Sequence, residues 1–176
     1  MLGLVARLRA ALPDAGFAAE RASGPHIEAA FHERHPESDP AGAVSGPIEG
    51  LSGETVGKLL ATAPGLRDEE LLERVSAVVG SRGVLAYSGA PGLAEISAPG
   101  VTKAAALARW CAEHGIPSDA VWAFGDMPND LPMLRWAGAS FAVANEHADV
   151  HSQATHRCPS NDQDGVAHVV EAVLAR

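Results

Sequence analysis

The residues best suited to chemistry form a polar turn that follows an apolar run. Residues 121–124 (Val-Trp-Ala-Phe) are typical of a central β-strand, and Gly125 and Asp126 follow them directly. In open α/β sheets, ligands bind just beyond the carboxyl ends of the strands. A carboxylate at that place is a hard oxygen ligand, which suits Mg²⁺ with several of its waters retained. Asp126 is therefore a candidate metal ligand.

Asn129 and Asp130 complete this turn, and two interpretations of them are open. Both precede a predicted helix whose first turn contains Pro132, so either residue could cap that helix. When only the strand–turn–helix pattern is considered, purely structural turn residues are as good an interpretation as a functional site.

Lys103 adds a cationic group near the start of another predicted helix. It follows a strand that ends near Ser97, and Thr102 is a candidate N-cap for the helix. The N-terminus of a helix favours anions, and a lysine there can neutralise a phosphoryl group. If the strands before the two turns are neighbours, Lys103 and Asp126 face the same crevice. The alternative is a solvated surface lysine, which is the commoner role of a single lysine.

Two segments that contain these residues resemble the haloacid-dehalogenase (HAD) superfamily, in its Cof-type sugar-phosphatase branch with a large α/β cap of the C2 type. They are residues 95–103 (Glu-Ile-Ser-Ala-Pro-Gly-Val-Thr-Lys) and residues 124–134 (Phe-Gly-Asp-Met-Pro-Asn-Asp-Leu-Pro-Met-Leu). Residues 142–145 and 160–167 match as well. The resemblance is specific over about the last half of the chain, and the order of elements in the first half suits the family's cap domain.

The resemblance implies a Mg²⁺-dependent hydrolase, a phosphatase of small phosphorylated metabolites such as sugar phosphates. Lys103 would hold the phosphoryl group and the nucleophile, and Asn129 would contact the phosphate. Asp126 would bind Mg²⁺, and Asp130 would support both the lysine and the metal. In that mechanism an aspartate attacks phosphorus, and water then hydrolyses the aspartyl-phosphate. Mg²⁺ and the lysine stabilise the charge of the transferring group.

Substrate specificity is expected to lie in the cap, where the early strands carry polar side chains. His26 and Glu28 are the candidates for lining a substrate pocket there. These two residues complete the predicted set of site residues.

The family's attacking aspartate belongs to an Asp-x-Asp-Gly-Thr-type motif at the end of the first core strand. No apolar strand predicted in residues 1–97 ends in Asp-x-Asp. Residues 162–166 (Asp-Gln-Asp-Gly-Val) have similar letters, but no buried strand precedes them, and Asp162 or Asp164 is expected to cap the last helix. The chain is therefore predicted to be a truncated phosphatase, with little or no activity alone.

A truncated core has a further consequence and leaves a rival hypothesis. Missing core strands would leave an apolar edge and face of the sheet uncovered, which favours self-association. The rival is a non-catalytic descendant that binds phosphorylated ligands or a protein partner. The presence of Lys103, Asp126, Asn129 and Asp130 together favours the truncated phosphatase.

The spacing of apolar residues predicts an α/β fold in two domains that divide near residues 98–100. Residues 1–98 are predicted as an α+β cap and residues 99–176 as the C-terminal part of a Rossmann-like core with a parallel sheet. In the cap we expect a helix ending near Leu12, strands at 17–22 and 27–32, a long loop at 36–53, an ambiguous segment at 55–62, a helix at 68–79, and strands at 84–88 and 93–97. In the core we expect helices at 102–114, 131–137, 147–154 and 166–175, and strands at 120–124, 140–144 and 155–158.

Composition excludes several other functions for the 176 residues. The chain carries 22 acidic and 13 basic residues, a formal net charge of -9, so its surface repels the phosphates of nucleic acids. No apolar stretch approaches the ~18 residues of a membrane span. The two cysteines are far apart, which predicts reduced thiols and, with the absence of a secretory signal, a cytoplasmic protein. The three tryptophans, Trp110, Trp122 and Trp136, are predicted to be packing residues.

Overall fold

The computed structural model describes residues 1–38 and 42–175, and these fall into two compact units that divide after Gly100. Unit 1 comprises residues 1–100, and unit 2 begins at Val101. The helices and strands of unit 1 are α1 (Leu2–Ala11), β1 (Gly16–Glu20), β2 (His26–Ile27), α2 (Ala29–His32), β3 (Val44–Ser45), β4 (Lys58–Thr62), α3 (Asp68–Val79), β5 (Val84–Ala86) and β6 (Ala94–Ser97). Those of unit 2 are α4 (Lys103–Glu113), β7 (Trp122–Gly125), α5 (Leu131–Trp136), β8 (Ala139–Val143), α6 (Ala148–His151), β9 (His156–Cys158) and α7 (Gly165–Leu174).

The sheet of unit 1 has the strand order β3-β2-β1-β4-β6-β5. All its pairs are antiparallel except β2 with β3. Phe17 pairs with Ala61, and Leu59 pairs with Ile96, so these side chains share one face of the sheet. That face packs against α1 and α3 in one hydrophobic cluster, which gives unit 1 its main core.

Helix α3 shows how the sequence sets this packing. Leu71, Val75 and Val79 lie at helical spacing and are buried against the sheet. Three acidic residues occupy the first turn, where the helix dipole favours negative charge. The helix ends at Gly80, whose φ of 49° lies in the left-handed region that glycine adopts without strain. The predicted helix at 68–79 is confirmed.

Two predictions for unit 1 are wrong in detail. Residues 27–32 were expected to form one strand, but β2 ends at Ile27 and residues 29–32 form helix α2. The turn brings Phe31, only 1% exposed, back against Ala18 and Ile27, so burial of the aromatic ring outweighs the alternating pattern. The predicted loop at 36–53 contains β3 and a 3₁₀ turn at Ile48–Leu51, and its residues 39–41 lie outside the described residues.

The ambiguous segment at 55–62 forms the strand β4. It pairs on one side with β1 and on the other with β6, so it lies inside the sheet. Leu59 and Ala61 point to the face covered by helices, and Lys58 and Leu60 point to the other face. The short apolar pattern allowed either a helix or a strand, and hydrogen bonding to strands on both sides shows that the segment is a strand.

Unit 2 contains a parallel sheet in the order β7-β8-β9. Ala123, Leu134, Ala142 and Val150 form a hydrophobic cluster that joins the sheet to α5 and α6. A separate cluster of buried residues joins Phe141, Val143 and Cys158. The predicted parallel sheet and the α/β fold class are confirmed. Within the described part of the chain, no helix has both the length and the hydrophobicity needed to cross a bilayer.

Two tryptophans of unit 2 are only partly packed, since the ring of Trp110 stacks on His114 and that of Trp122 contacts Phe141. Trp110 is 51% exposed on α4, and Trp122 is 46% exposed on β7. Since β7 is one of the two edge strands of the sheet, its outer side pairs with no strand in the described part of unit 2. Trp136 is half-buried. The predicted helix at 147–154 is also shorter than expected, because α6 ends at His151.

Candidate active site

Strand β7 ends at Gly125, so Asp126 lies at the carboxyl end of the parallel sheet of unit 2. Gly125 has no room for a side chain, because a Cβ there would lie 2.7 Å from the Cβ of Asp130. The glycine therefore allows the chain to leave the strand directly against the next turn. Gly125 was not among the predicted site residues. Its position between the strand and Asp126 is nevertheless a signal that two backbone segments lie close together there.

Asp130 organises the turn that follows, a short 3₁₀ helix at Pro128–Asp130. Its side chain is only 4% exposed. The N–H groups of Asp126 and Met127 donate to Asp130 Oδ2 at 3.1 and 3.2 Å. Asp130 Oδ1 accepts a hydrogen bond from Lys103 Nζ at 2.5 Å. Asp130 thus caps the 3₁₀ turn, rather than α5, and also holds the lysine.

Lys103 is the first residue of α4, and it reaches the turn from the helix N-terminus. Thr102 Oγ1 accepts a hydrogen bond from the N–H of Ala105 at 3.1 Å, which makes Thr102 the N-cap as predicted. Lys103 Nζ also lies 3.5 Å from Asn129 Oδ1. The lysine side chain stays 52% exposed, so it is not a fully enclosed structural cation.

The structure therefore brings four of the predicted site residues together in unit 2: Lys103, Asp126, Asn129 and Asp130. A backbone contact that sequence reasoning missed also fixes the turn. The N–H of His147 donates to the carbonyl of Asp126 at 2.7 Å, which links the turn to the start of α6. No side-chain pattern could reveal this bond, because only backbone atoms form it.

The oxygen donors of this cluster fit part of a magnesium site. The carboxylate of Asp126 stands half-buried at the strand end, where a hard cation could use it. The carboxylate of Asp130 is engaged by two N–H groups and a lysine, so it is less available as a ligand. In residues 1–38 and 42–175 no group of three or more His, Cys, Asp or Glu side chains could hold a metal. The described residues would thus supply only some of the ligands of Mg²⁺.

His26 and Glu28 lie in unit 1, and both are buried. The ring of His26 is 7% exposed on the sheet face that packs against the main core, and neither ring nitrogen has a hydrogen-bond partner among the described residues. Glu28 accepts hydrogen bonds from the N–H groups of Phe17 and Ile48, both at 3.0 Å, and from Arg9 at 2.5 Å. The Lys103 cluster belongs to unit 2. Their predicted substrate contacts gain no support from this geometry.

Arg9 links this buried carboxylate to the surface of unit 1. Its guanidinium bonds Glu28 at 2.5 Å and Glu49 at 2.7 Å. The hydrogen bond from Arg9 lowers the pKa of Glu49, and the backbone hydrogen bond and the positive charge act in the same direction. These interactions stabilise the fold of unit 1 rather than a site.

The segment before the last helix is tied to the turn after β8. The N–H of Asn161 donates to Asn145 Oδ1 at 3.0 Å, which connects two of the segments that carried the family resemblance. Asp164 stands at the N-cap position of α7 with a φ of 54°, but its side chain makes no capping hydrogen bond. The predicted cap is therefore correct in position and wrong in mechanism.

Known proteins are similar to this chain in sequence and in fold. A family model described as haloacid dehalogenase-like hydrolase matches residues 38–170. The 5-amino-6-(5-phospho-D-ribitylamino)uracil phosphatase YbjI of Escherichia coli (strain K12) is 41% identical over 83 residues, which are 47% of this chain and 31% of that protein. The phosphatase YitU of Bacillus subtilis (strain 168), which carries the same activity in its name, is 36% identical over 77 residues, or 44% of this chain and 28% of that protein. These matches span less than a third of each curated relative.

Solved structures resemble the chain over nearly its whole length. One from Streptococcus mutans UA159 has a TM-score of 0.83 at 24% identity and covers 99% of this chain and 67% of that chain. The HAD subclass IIB sugar phosphatase BT4131 has a TM-score of 0.78 at 18% identity, with 97% of this chain and 64% of that chain covered. Since these identities are low, the likeness shows the common fold. Because the family model covers most of its residues, the chain belongs to the haloacid dehalogenase-like hydrolases, as the resemblance of residues 95–103 and 124–134 predicted.

Proposed function

We propose that unit 2 carries the phosphate-binding and metal-binding side of a Mg²⁺-dependent phosphohydrolase that acts on a small phosphorylated metabolite. The observation that carries the proposal is the bond from Lys103 Nζ to Asp130 Oδ1, 2.5 Å long, at the carboxyl end of a parallel strand. An ammonium group has three N–H donors, and Asp130 uses one of them. Asn129 Oδ1 lies 3.5 Å from the same nitrogen, so at least one donor of the half-exposed lysine is available to a phosphoryl oxygen.

The roles of the four residues follow from their surroundings. Lys103 would neutralise charge on the phosphoryl group, and Asn129 would hydrogen-bond one of its oxygens. Asp130 would position the lysine, since its buried carboxylate is fixed by two backbone N–H groups. Asp126 would bind Mg²⁺, and Asp130 would support this metal site. When bound, Mg²⁺ supplies positive charge that stabilises the transferring phosphoryl group.

Binding of a divalent ion tests the role of Asp126. Mn²⁺, a paramagnetic substitute for Mg²⁺, is expected to broaden the amide signals of Asp126, Met127, Asn129 and Asp130 in a nuclear magnetic resonance (NMR) spectrum. Asp126→Asn should remove this broadening, whereas Asp119→Asn, an exposed carboxylate change in the same unit, should leave it unchanged. Equal broadening in the Asp126→Asn variant would show that the ion is held elsewhere.

The attacking aspartate is the part that these 176 residues do not supply. No predicted apolar strand in residues 1–97 ends in Asp-x-Asp, and Asp162 and Asp164 lie on the loop before α7 rather than at a strand end. We infer that this chain alone does not hydrolyse phosphate esters. Turnover of p-nitrophenyl phosphate with Mg²⁺ should equal that of the Asp126→Ala variant. Activity that Asp126→Ala abolishes would contradict the inference.

Unit 1 is proposed to act as the cap that selects the substrate. On the sheet face opposite α1 and α3, a cavity of about 320 Å³ has an apolar floor that includes Ile27 and Phe31 and a polar rim at Glu20 and Arg21. Such a mixed lining suits the hydroxyl-rich carbon part of a sugar phosphate. The names of the curated relatives, which describe a phosphorylated ribityl compound, support a substrate of this class.

We also propose that the chain self-associates through the uncovered sheet of unit 2. Trp122 on the edge strand is 46% exposed, and α7 exposes the apolar side chains of Val166, Val170 and Val173. An edge strand beside exposed apolar surface favours contact with a second copy. The proposed site residues do not belong to this surface, so association and ligand binding can be measured separately.

A further inference from the structure

Unit 1 contains a cavity of about 510 Å³ that the proposed phosphatase chemistry does not use. It lies between the first turns of α1, the start of β4, the end of β6 and the turn after α3, and all of its lining residues belong to unit 1. Volumes of about 300–1,000 Å³ are typical of small-molecule sites. The cavity is therefore large enough for a small metabolite.

The charges of the lining are all of one sign. The described lining residues include Arg7, Lys58 and Arg82, and they include no carboxylate. Arg82 donates one N–H to the carbonyl of Val78 at 3.1 Å, and Arg7 has no side-chain hydrogen bond among the described residues. Neither guanidinium has a carboxylate partner in the described part of the chain. The remaining N–H groups of both arginines are therefore free to bind an anion, although the chain as a whole carries a formal net charge of -9.

Lys58 differs from the two arginines, because its charge is already balanced. Its Nζ lies 2.9 Å from Glu95 Oε2 and 3.9 Å from Glu20 Oε1, on the other side of the strand end. Burial lowers the pKa of Lys58, but the hydrogen bond and charge of Glu95 and the charge of Glu20 outweigh burial, so the pKa lies above its ordinary value. The positive charge left for a ligand therefore comes from Arg7 and Arg82.

The remaining lining decides which anion fits best. A guanidinium binds phosphate through two parallel N–H···O bonds. Leu4, Ile96 and Pro99 form part of the wall and give the carbon part of an ester an apolar surface. The Ser97 hydroxyl adds a neutral hydrogen-bonding group. This combination suits a small phosphate monoester.

We propose that Arg7 and Arg82 form a second anion site, in unit 1, that binds the phosphate group of a small metabolite or free inorganic phosphate. The site is separate from the Lys103 cluster, which belongs to unit 2. It does not depend on the proposed catalytic role of that cluster, so either proposal can fail without the other.

Phosphate titration followed by NMR tests the site, because amide shifts report where the ligand binds. Inorganic phosphate, added at constant ionic strength without Mg²⁺, is expected to shift the amides of Gly57 and Ser97 in a saturable way. The double variant Arg7→Gln/Arg82→Gln should weaken this binding by at least about tenfold, because it removes the charged hydrogen bonds of both guanidinium groups. Glycerol 3-phosphate is compared with inorganic phosphate, and tighter binding of the ester would identify an esterified ligand.

Two control variants make the result specific. Arg67→Gln/Arg74→Gln removes the same charge from arginines that do not line the cavity, and it should leave the affinity within about twofold of the unchanged chain. Lys103→Gln should leave the shifts in unit 1 unchanged. Because Arg7 and Arg82 are exposed, their variants should fold, and the single variants Arg7→Gln and Arg82→Gln should each weaken binding by less than the double variant.

Three results would overturn the proposal. One is an unchanged affinity at Gly57 and Ser97 in the double variant and in both single variants. Another is a phosphate response confined to unit 2. The third is an equal loss of affinity in Arg67→Gln/Arg74→Gln, which would assign the binding to net charge rather than to this cavity.

Discussion

Unit 1 buries one face of its sheet under two helices, whereas unit 2 exposes much of its apolar surface. The main cluster of unit 1 contains 16 buried residues, and the two clusters of unit 2 contain four and three. Nine large hydrophobic residues are exposed in the described part of the chain, and seven of them belong to unit 2. These seven are Val101, Trp110, Trp122, Val166, Val170, Val173 and Leu174.

The comparison indicates that the amount of buried core in a unit does not determine whether its candidate site is formed. Parallel sheets are normally covered on both faces, so the exposed edge and side chains of unit 2 mark surface that another polypeptide can cover. The Lys103–Asp130 cluster is nevertheless formed, because local bonds hold it: the N-cap at Thr102, the capped turn at Pro128–Asp130 and the backbone bond from His147. A small hydrophobic core is therefore sufficient to position these residues.

The largest effect should come from deleting a core side chain of unit 1. Phe17 is fully buried, so Phe17→Ala should lower the free energy of unfolding of unit 1 by about 3–5 kcal/mol. Trp122→Ser, a comparably large deletion on the edge of unit 2, should cost only about 1–2 kcal/mol, because Trp122 is 46% exposed and its ring contacts only Phe141 among the aromatic rings of the described residues. Urea unfolding followed by residue-specific NMR signals measures both. Equal costs would remove the contrast between the units.

The next largest effect should come from filling the space beside Gly125. In Gly125→Ala the added Cβ would lie 2.7 Å from the Cβ of Asp130, so the turn must move. We expect a loss of about 1–3 kcal/mol in the stability of unit 2. Gly3→Ala is the control, since nothing lies within 4 Å of its added Cβ, and in helix α1 it should be neutral or stabilising. A neutral Gly125→Ala would show that the turn is not tightly packed.

The exposed apolar surface of unit 2 should control self-association. Trp122→Ser combined with Val170→Ser should weaken association by about tenfold or more in sedimentation velocity, because both remove apolar contact area. Val44→Ser changes an exposed residue of unit 1 and should leave the association unchanged. A monomeric unchanged chain, or equal effects of both changes, would contradict the assignment of the surface.

The smallest effect should be a pH dependence confined to unit 1. The pKa of Glu49 is lowered from its ordinary 4.5, chiefly by the hydrogen bond from Arg9. A carboxylate with a lowered pKa contributes stability above its ordinary pKa, and that stability is lost as the pH falls through the lowered value. Since Glu49 is half-exposed, we expect less than about 1 kcal/mol. Urea midpoints below and above pH 4.5 measure it, and Arg9→Gln should reduce the difference in unit 1 only.

The sequence predicted the helices and strands better than it predicted which of their side chains are buried. Helix α3 and the parallel strands of unit 2 were found because apolar spacing and glycine ends are local signals. The strand predicted at 27–32 failed because burial of Phe31 depends on residues distant in sequence. The exposure of Trp110 and Trp122 could not be predicted either, since it depends on which strands and helices cover the sheet.

The same limit applies to the candidate site: signals close in sequence were predictive, and contacts between distant residues were not. Lys103, Asp126, Asn129 and Asp130 could be selected because each follows a strand or begins a helix, and the structure places them in one cluster, while their roles stay predictions. Asp130 caps its turn and also bonds Lys103, so the turn-capping interpretation does not exclude the functional one, which stays a prediction. His26 and Glu28 were chosen without knowledge of the buried face and the Arg9 bond, so their predicted role stays a prediction.

Phosphate binding at unit 2 tests the central claim most directly. Inorganic phosphate with Mg²⁺ should shift the amides of Asp126 and Met127, and Lys103→Gln should weaken this response by at least about tenfold. Arg109→Gln, which removes an exposed charge from the same helix, should change the affinity by less than about twofold. An affinity at these amides that Lys103→Gln leaves unchanged would contradict the assignment of Lys103 to a phosphate site.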